Sequence, residues 1–557
     1  MAVNRIARAA GIIMVGSVLS RVLGLGREGV ISDLFGAHGK VDAFTVAAQI
    51  STIFYDLLIS GVVSAALVPV LSEYAAEKDR AELGRIVSIV LTGAVLVSLI
   101  GVLVLEVLAL PVVQFIGGDM SRANFALAVS MTQIVLPGVL FLGISAVLMS
   151  ALYALHRFTF PSLAMSALNV AIIGAAIFLT GALDVRSLAV GMAGGAVLMV
   201  AIQWPGLRDV PIRPSFHFRH PAVKRILQLY APIAISLLVS QAALLLDRRF
   251  AIETGEGSVA AMRYGTTLIQ FALGIVGAAI SLAALPSLSQ HFANRDEPAY
   301  RRTLGVGLRM VTVLVVPAAV GLAVLGIPLV TLVFQHGVFN EGDKWRTVLA
   351  LVCYVLGLPA AALNQVLIFG FYARKNTVTP VVIGIVGAGV YLLLAVLLKG
   401  PFGMVGLVLA SSAQLTFNAT VTGLLLWRSL GGLRGESLGA TALKSGLGAL
   451  LMGGVSFLAW GLLAQRLPDS FVGHVLAVAV PGGLGVLVYG AVLAALRVRE
   501  LEFLRDRLAR RLPGRGPQGA EPVLVVDDEV AAVTAEPAAI IAPGRLGPPS
   551  AGGPRGG

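Results

Sequence analysis

Long apolar runs broken by short polar stretches cover almost the whole chain, at 11–35, 42–71, 84–115, 124–155, 160–181, 187–205, 224–247, 258–287, 303–333, 346–372, 377–398, 402–427, 440–465 and 472–496. A helix of about 20 apolar residues crosses a bilayer core. The pattern therefore predicts an all-α polytopic membrane protein with fourteen transmembrane helices. Polar residues inside the runs are few and spaced by sevens: Arg21 and Glu28 in the first, Asp42, Gln49 and Asp56 in the second, Arg263 and Gln270 in the eighth. Seven residues are nearly two helical turns, so each set forms one stripe, which in hydrocarbon must face protein or water. A cation at mid-bilayer costs about 2.5–3.5 kcal/mol on insertion scales. Arg21 and Arg27, in GSVLSRVLGLGREGVISDLFG, thus point to an anion met inside the membrane.

Composition agrees with the pattern. Hydrophobic residues make up 57% of the 557, charged residues 13%, and the mean hydropathy is +0.90. The first run is too long for a secretory signal, is charged in its middle and lacks a small-residue cleavage site, so it is expected to be retained. The single cysteine, Cys353, excludes an intramolecular disulfide and a cysteine-based metal cluster. A net charge of +12 would suggest nucleic acid in a soluble chain, but here it follows the loops. Twenty Lys and Arg fall in loops on the side of the N-terminus and nine on the other. The positive-inside rule then places both termini in the cytoplasm, and charge that follows topology calls for no nucleic-acid partner.

The chain also repeats itself. LVPVLSEY (67–74) recurs as ALPSLSQH (284–291), and LYALHRFTFP (152–161) as FYARKNTVTP (371–380), at offsets of 217 and 219 residues. Two matches at nearly one offset imply a parallel repeat of two six-helix lobes with a cavity between them. The expected organisation is an N-terminal lobe (1–207), a cytoplasmic amphipathic linker (208–227) on the membrane surface, a C-terminal lobe (228–430), two added helices (431–497), a basic interfacial helix (498–512) and a disordered tail (513–557).

Gly24-Leu25-Gly26-Arg27-Glu28-Gly29 satisfies G-x-G-x-x-G, but no strand precedes it, which excludes a dinucleotide fold. Gly24 and Gly26 read instead as a hinge that breaks the first helix and frees backbone N–H groups beside Arg27 for a phosphate, or as small residues for close helix packing. In an unbroken helix Arg27 lies about 120° from the Arg21 face, so one cavity for both cations requires a bend. The competing reading of the polar residues is internal ion pairing, Arg21 with Asp56 or Arg27 with Glu28. Asp247, beside Arg248 and Arg249, reads as a boundary ion pair. No nucleophile, base and orienting residue share a context, so an enzyme is not expected, nor is a cofactor or a metal.

The segment SRVLGLGREGVISDLFGAHGKVDAFTVA (20–47) resembles the opening of the MviN/MurJ family, lipid II flippases of the multidrug/oligosaccharidyl-lipid/polysaccharide exporter superfamily. LVPVLSEY, LYALHRFTFPSLAMSALN ending at Asn169, LDRRFA (246–251), FALGIVGAAISLAALPSLS (271–289) and FYARKNTVTP extend the resemblance through twelve spans. It implies alternating access that carries an undecaprenyl-diphosphate-linked glycan, most simply lipid II, from the cytoplasmic to the outer leaflet, with membrane lipids as the other partner. It matches Arg21 and Arg27 to the arginines the family uses on the diphosphate side; with Glu28, Asp42, Asp56, Asn169 and Arg263 they form the candidate substrate-binding set. Asp56 departs from the pattern, standing near where the family carries an arginine pair, and Thr267 stands where it carries an arginine, one turn after Arg263. The rival readings are a cation-coupled multidrug exporter of the same fold and a transport-inactive scaffold whose tail recruits cell-wall synthesis proteins.

Overall fold

A computed structural model describes residues 2–56, 66–76, 80–432 and 437–498. The helices, in chain order, are α1 (Ala2–Phe35), α2 (Gly39–Tyr55), α3 (Val68–Ala76), α4 (Arg80–Gly117), α5 (Arg122–Ala154), α6 (Thr159–Leu183), α7 (Arg186–Gln203), α8 (Pro221–Glu253), α9 (Ser258–Ala293), α10 (Glu297–Val324), α11 (Gly326–Phe334), α12 (Glu341–Val355), α13 (Leu358–Ala373), α14 (Val378–Phe402), α15 (Met404–Ser429), α16 (Leu438–Ala464) and α17 (Phe471–Ala495). No strand occurs among the described residues. Each predicted run falls on one helix or on a consecutive pair. Nine helices among the described residues are long and apolar enough to cross a bilayer, ten if α12 and α13, bent by 42°, form one span. Besides α12 and α13, the helices absent from those nine are the short α3 and α11 and the helices α1, α2, α8 and α9. The predicted polar stripes lie on three of them, α1, α2 and α9, and their polarity has to be satisfied by one another. The predicted helix and tail beyond Val498, and residues 57–65 of the second run, lie outside the described residues.

Among the first seven helices α6 packs on α7 and α1, while α5 packs on α7, α4 and α2. Later in the chain α14 packs on α15, α9 on α13, α10 and α12, and α13 on α15; α16 packs on α10 and α17. Helix α8 touches α4, α2 and α3 on one side and α9, α14 and α15 on the other. In lipid no hydrophobic drive pulls helices together, so close backbone approach at small residues holds them. At the α6–α7 contact, a β-carbon on Gly191 would lie 2.8 Å from Ile172 Cα, and one on Gly195 3.0 Å from Leu168 Cα.

The repeat seen in the sequence recurs in the backbone. After α5, His156 N–H donates to Tyr153 O (2.9 Å) and Arg157 N–H to Leu152 O (2.8 Å). After α13, Lys375 N–H donates to Tyr372 O (2.9 Å) and Asn376 N–H to Phe371 O (3.0 Å). His156 and Lys375 both adopt left-handed φ, 58° and 59°, the usual way to satisfy the last carbonyls of a helix. The α6–α7 and α14–α15 turns match as well, through Asp184 (φ 50°) and Gly403 (φ 56°).

The linker differs from expectation. Residues 221–227 already belong to α8, so the connection proper ends at His220. It is non-helical from Asp209 to His220, because Pro211 and Pro214 remove donors that a helix needs.

Candidate functional site

The predicted stripes meet face to face. On α1 and α9, Arg21 Nη1 donates to the main-chain carbonyl of Gln270 (3.0 Å), and Arg263 Nη2 donates to Glu28 Oε1 (2.8 Å). The helices run antiparallel, so two residue pairs seven apart form two rungs of one ladder. Helices α2 and α8 repeat the device. Gln241 Nε2 donates to Asp56 Oδ2 (3.2 Å) and Arg248 Nε to Gln49 Oε1 (3.4 Å). Gln241 and Arg248, also seven apart, are the half of this ladder that sequence reasoning missed; their spacing was the signal that marked the others.

The ladder on α1 carries the charge. Glu28 is 1% exposed, and its Oε1 also accepts from Arg27 Nη2 (2.5 Å) and Nε (3.2 Å). Arg27 Nη1 donates to Asn169 Oδ1 on α6 (3.0 Å), and Asn169 Nδ2 donates back to the Ser20 carbonyl on α1 (3.2 Å). Arg263 Nη1 donates to Thr45 Oγ1 on α2 (3.1 Å), and its guanidinium lies 5.3 Å from the centre of the Phe44 ring. One carboxylate thus gathers two guanidinium groups and ties α1, α2, α6 and α9 together. Glu28 Oε2 is buried without a hydrogen-bond partner. The triad keeps one net positive charge, and Arg21, six residues or about 9 Å along α1, adds a second with no ion pair among the described residues.

Arg27, Glu28, Asn169 and Arg263 are therefore brought together, with Arg21 on the same seam. Two expectations need correction. Helix α1 runs unbroken from Ala2 to Phe35, so Gly24 and Gly26 free no backbone N–H groups there. Glycine in a helix interior costs only about 1 kcal/mol against alanine and does not break it unaided. The long Arg27 side chain, not a bend, reaches round to Glu28. The glycines instead leave room: a β-carbon on Gly26 would meet nothing within 4 Å, and one on Gly24 only Asn169 Oδ1 at 4.0 Å. Asp56, second, is bound by Gln241 and not by Arg21, so it does not cancel the Arg21 charge.

Asp42 stands about one turn beyond Thr45, away from the arginines. It is 3% exposed, and its carboxylate accepts Gly257 N–H (2.6 Å) and Ala260 N–H (2.8 Å), capping α9 from across the bundle. Around it Tyr264 Oη donates to the Gly36 carbonyl (2.9 Å), Val338 N–H to the Asp33 carbonyl (2.9 Å) and Ala37 N–H to Asp343 Oδ2 (3.3 Å). The Tyr264 ring stacks on Phe334 at 4.9 Å. These contacts join α1, α2, α9 and the chain at 334–343 at that end of the bundle, with Asp42 among them. Asp247 is shared between Arg248 (3.9 Å) and the Tyr391 hydroxyl of α14. Glu106, unremarked in the sequence, makes no hydrogen bond or ion pair among the described residues and lies on the long apolar helix α4. No group of three or more His, Cys, Asp or Glu converges as for a metal among the described residues.

Residues 31–476 match the family model described as Lipid II flippase MurJ. The Lipid II flippase MurJ of Burkholderia cenocepacia is 33% identical over 381 residues, 66% of this chain and 73% of the relative. The probable lipid II flippase MurJ of Haemophilus influenzae is 33% identical over 514 residues, covering 88% of this chain and 99% of the relative. Among solved structures, a lipid II flippase MurJ in an inward closed conformation is similar with a TM-score of 0.74 at 23% identity, over 89% of this chain and 99% of that one. An inward-facing multidrug resistance MATE family transporter is similar with a TM-score of 0.63 at 15% identity, over 74% and 95%. At those identities the two structures speak for the fold alone.

Proposed function

The chain belongs to the MurJ lipid II flippase family, and from that premise we propose that it moves a polyprenyl-diphosphate-linked glycan, lipid II, from the cytoplasmic to the outer leaflet by alternating access. It is a multi-pass membrane protein. In this reading it lies in the bacterial plasma membrane with both termini in the cytoplasm, and residues 1–207 and 228–430 act as lobes that rock about the α1–α9 and α2–α8 ladders. The observation that carries it is the Arg27–Glu28–Arg263 triad, where cations from both halves of the chain share one buried carboxylate.

The chemistry follows from charge. Without cargo, Glu28 serves as counter-anion to Arg27 and Arg263. A diphosphate brings more negative charge and more acceptor oxygens than one carboxylate, so it displaces Glu28 from the guanidinium groups. Arg21 meets the diphosphate nearer the other end of α1. Displacement loosens the tie between α1 and α9, which links cargo binding to movement of the lobes. An inside-negative potential, about 2.3 kcal/mol per charge per 100 mV, favours outward movement of an anion. The two net positive charges, one on the triad and one on Arg21, weigh against export of a lipophilic cation by the related exporters.

The test is rescue of a strain depleted of its own flippase, read together with outer-leaflet lipid II. Arg27→Ala and Arg21→Ala should each cut lipid II export at least about tenfold, which corresponds to roughly 1.4 kcal/mol. Full rescue by both variants overturns the assignment. Deleting 513–557 should leave export intact; loss of function on that deletion would favour a scaffold that recruits cell-wall synthesis proteins.

A further inference from the structure

Between α7 and α8 the chain does not simply cross from one half to the other; it is laced to α4. Ser88 Oγ accepts Arg213 N–H (2.9 Å), and one turn along, Thr92 Oγ1 accepts Ser215 N–H (3.0 Å). Both hydroxyls donate within α4, to the Gly84 carbonyl (2.6 Å) and the Ser88 carbonyl (2.8 Å), so each both donates and accepts. Pro211 presses on Gly84, where a β-carbon would lie 2.7 Å from Pro211 O, and the Phe218 ring lies against Gly93. The segment therefore descends α4 from residue 84 to 93, about 14 Å along the helix axis. It then returns to His220, whose Nε2 lies 3.2 Å from Glu82 Oε1.

This descent crosses a chemical boundary. The first turns of α4 are polar (Arg80, Glu82, Arg85), and its apolar run starts at Ile86. At the bottom of the loop Phe216 and Phe218 are 67% and 41% exposed, edge to face at 6.2 Å. Above them opens a recess of about 480 Å³ lined by Arg85, Phe216, His217, Phe218, Arg219 and His220. Glu82 is the nearby carboxylate; it is engaged with His220 and lies 3.8 Å from Arg85. Arg219 forms no ion pair among the described residues.

We propose that this recess is a binding site for an anionic phospholipid of the adjoining leaflet. The headgroup phosphate lies between Arg85 and Arg219, and the first acyl carbons lie on the Phe216–Phe218 edge. Cations above exposed aromatic rings at an apolar boundary match such a lipid in charge and in polarity, and a soluble anion would leave the two rings in water. Because the loop is fastened to α4 and leads straight into α8, an occupied site braces the junction between the halves. The inference is independent of what the protein carries.

The experiment titrates the purified full chain with phosphatidylglycerol or phosphatidylcholine and counts bound lipids by native mass spectrometry. The expected result is a preference of at least about tenfold for phosphatidylglycerol, lost in Arg85→Ala/Arg219→Ala and largely kept in Arg85→Lys/Arg219→Lys. A photo-reactive benzoylphenylalanine at Phe216 should label phosphatidylglycerol acyl chains in vesicles, which tests the site even where the double alanine variant folds poorly. Unchanged phosphatidylglycerol retention in the alanine variant overturns the proposal, as does labelling of protein only. Complete displacement of the lipid by millimolar inorganic phosphate also overturns it, assigning the site to a free anion.

Discussion

Glu28 is where the charge balance of the site is decided. It accepts from Arg27 and Arg263 on a single oxygen while its other oxygen is buried and unpaired, so the carboxylate is held but not saturated. Removing one partner of a buried ion pair costs about 3–5 kcal/mol, because charge is left without compensation. Glu28→Gln is expected near 3 kcal/mol, the low end, since Arg27 and Arg263 keep 24% and 15% of their side-chain surface exposed. The measurement is a thermal melt of the purified protein. The melting temperature should fall, Glu28→Asp should fall less, and a soluble polyprenyl-diphosphate analogue should restore part of the loss in Glu28→Gln. An unchanged melt in Glu28→Gln would mean that the two arginines need no counter-anion there. Residue chemistry of this kind was largely legible in the sequence, because a charged side chain in an apolar run has few ways to be satisfied. Which partner it finds was not. The adjacency of Arg27 and Glu28 already suggested a pair, whereas the choice of Gln241 over Arg21 for Asp56 depends on how α2 lies against α8.

At the scale of elements, spacing by sevens was the readable signal, and the register between helices was not. Arg21 with Glu28 and Arg263 with Gln270 were visible as stripes, but that they face each other antiparallel is set by packing elsewhere in the bundle. The reading of Gly24 and Gly26 as a break failed for the opposite reason, since local propensity was weighed without the hydrogen bonds that keep α1 whole. Packing itself makes a sharper claim about other glycines. At Gly191 a β-carbon would meet Ile172 Cα and Ala175 Cβ, both at 2.8 Å, whereas at Gly174, on α6, it would meet nothing within 4 Å. Gly191→Leu should therefore force α7 off α6 and destabilise the protein by at least about 2 kcal/mol, with Gly174→Leu close to neutral. Folded yield and melting temperature in detergent would show it. Equal tolerance of the two substitutions would mean that the α6–α7 contact does not limit stability.

For the whole molecule, what matters is which end is shut. Asp42, Tyr264, Asp343 and the backbone of 33–38 close the bundle beyond Arg263, so in this conformation the arginines are sealed from one side. Asp42→Ala leaves two N–H groups at the start of α9 without acceptors, a loss of about 1–3 kcal/mol for each buried group. The closed state should then lose population. The check is a thiol introduced as Thr45→Cys in a Cys353→Ala background. Labelling by a membrane-impermeant reagent from the outer face should speed up about tenfold when Asp42→Ala is added; an unchanged rate would remove Asp42 from the closure. Little of this seal was readable beforehand, because Asp42 reads as one more acid in a stripe until the start of α9 is placed beside it.

One feature of that closure bears on how the protein can change over generations. Asp42 grips main-chain N–H groups of 257 and 260, and no side chain of that loop takes part in the grip. A lock that holds backbone needs no matched partner, so those substitutions along 256–260 that packing allows are expected without compensating changes at position 42. The exception is Gly257, at φ 82°, where a β-carbon would lie 2.2 Å from the Ala37 carbonyl oxygen. Selection on the lock itself should therefore hold two positions, the acid and the glycine, while Val259 and Ala260, both fully buried, are held by packing instead.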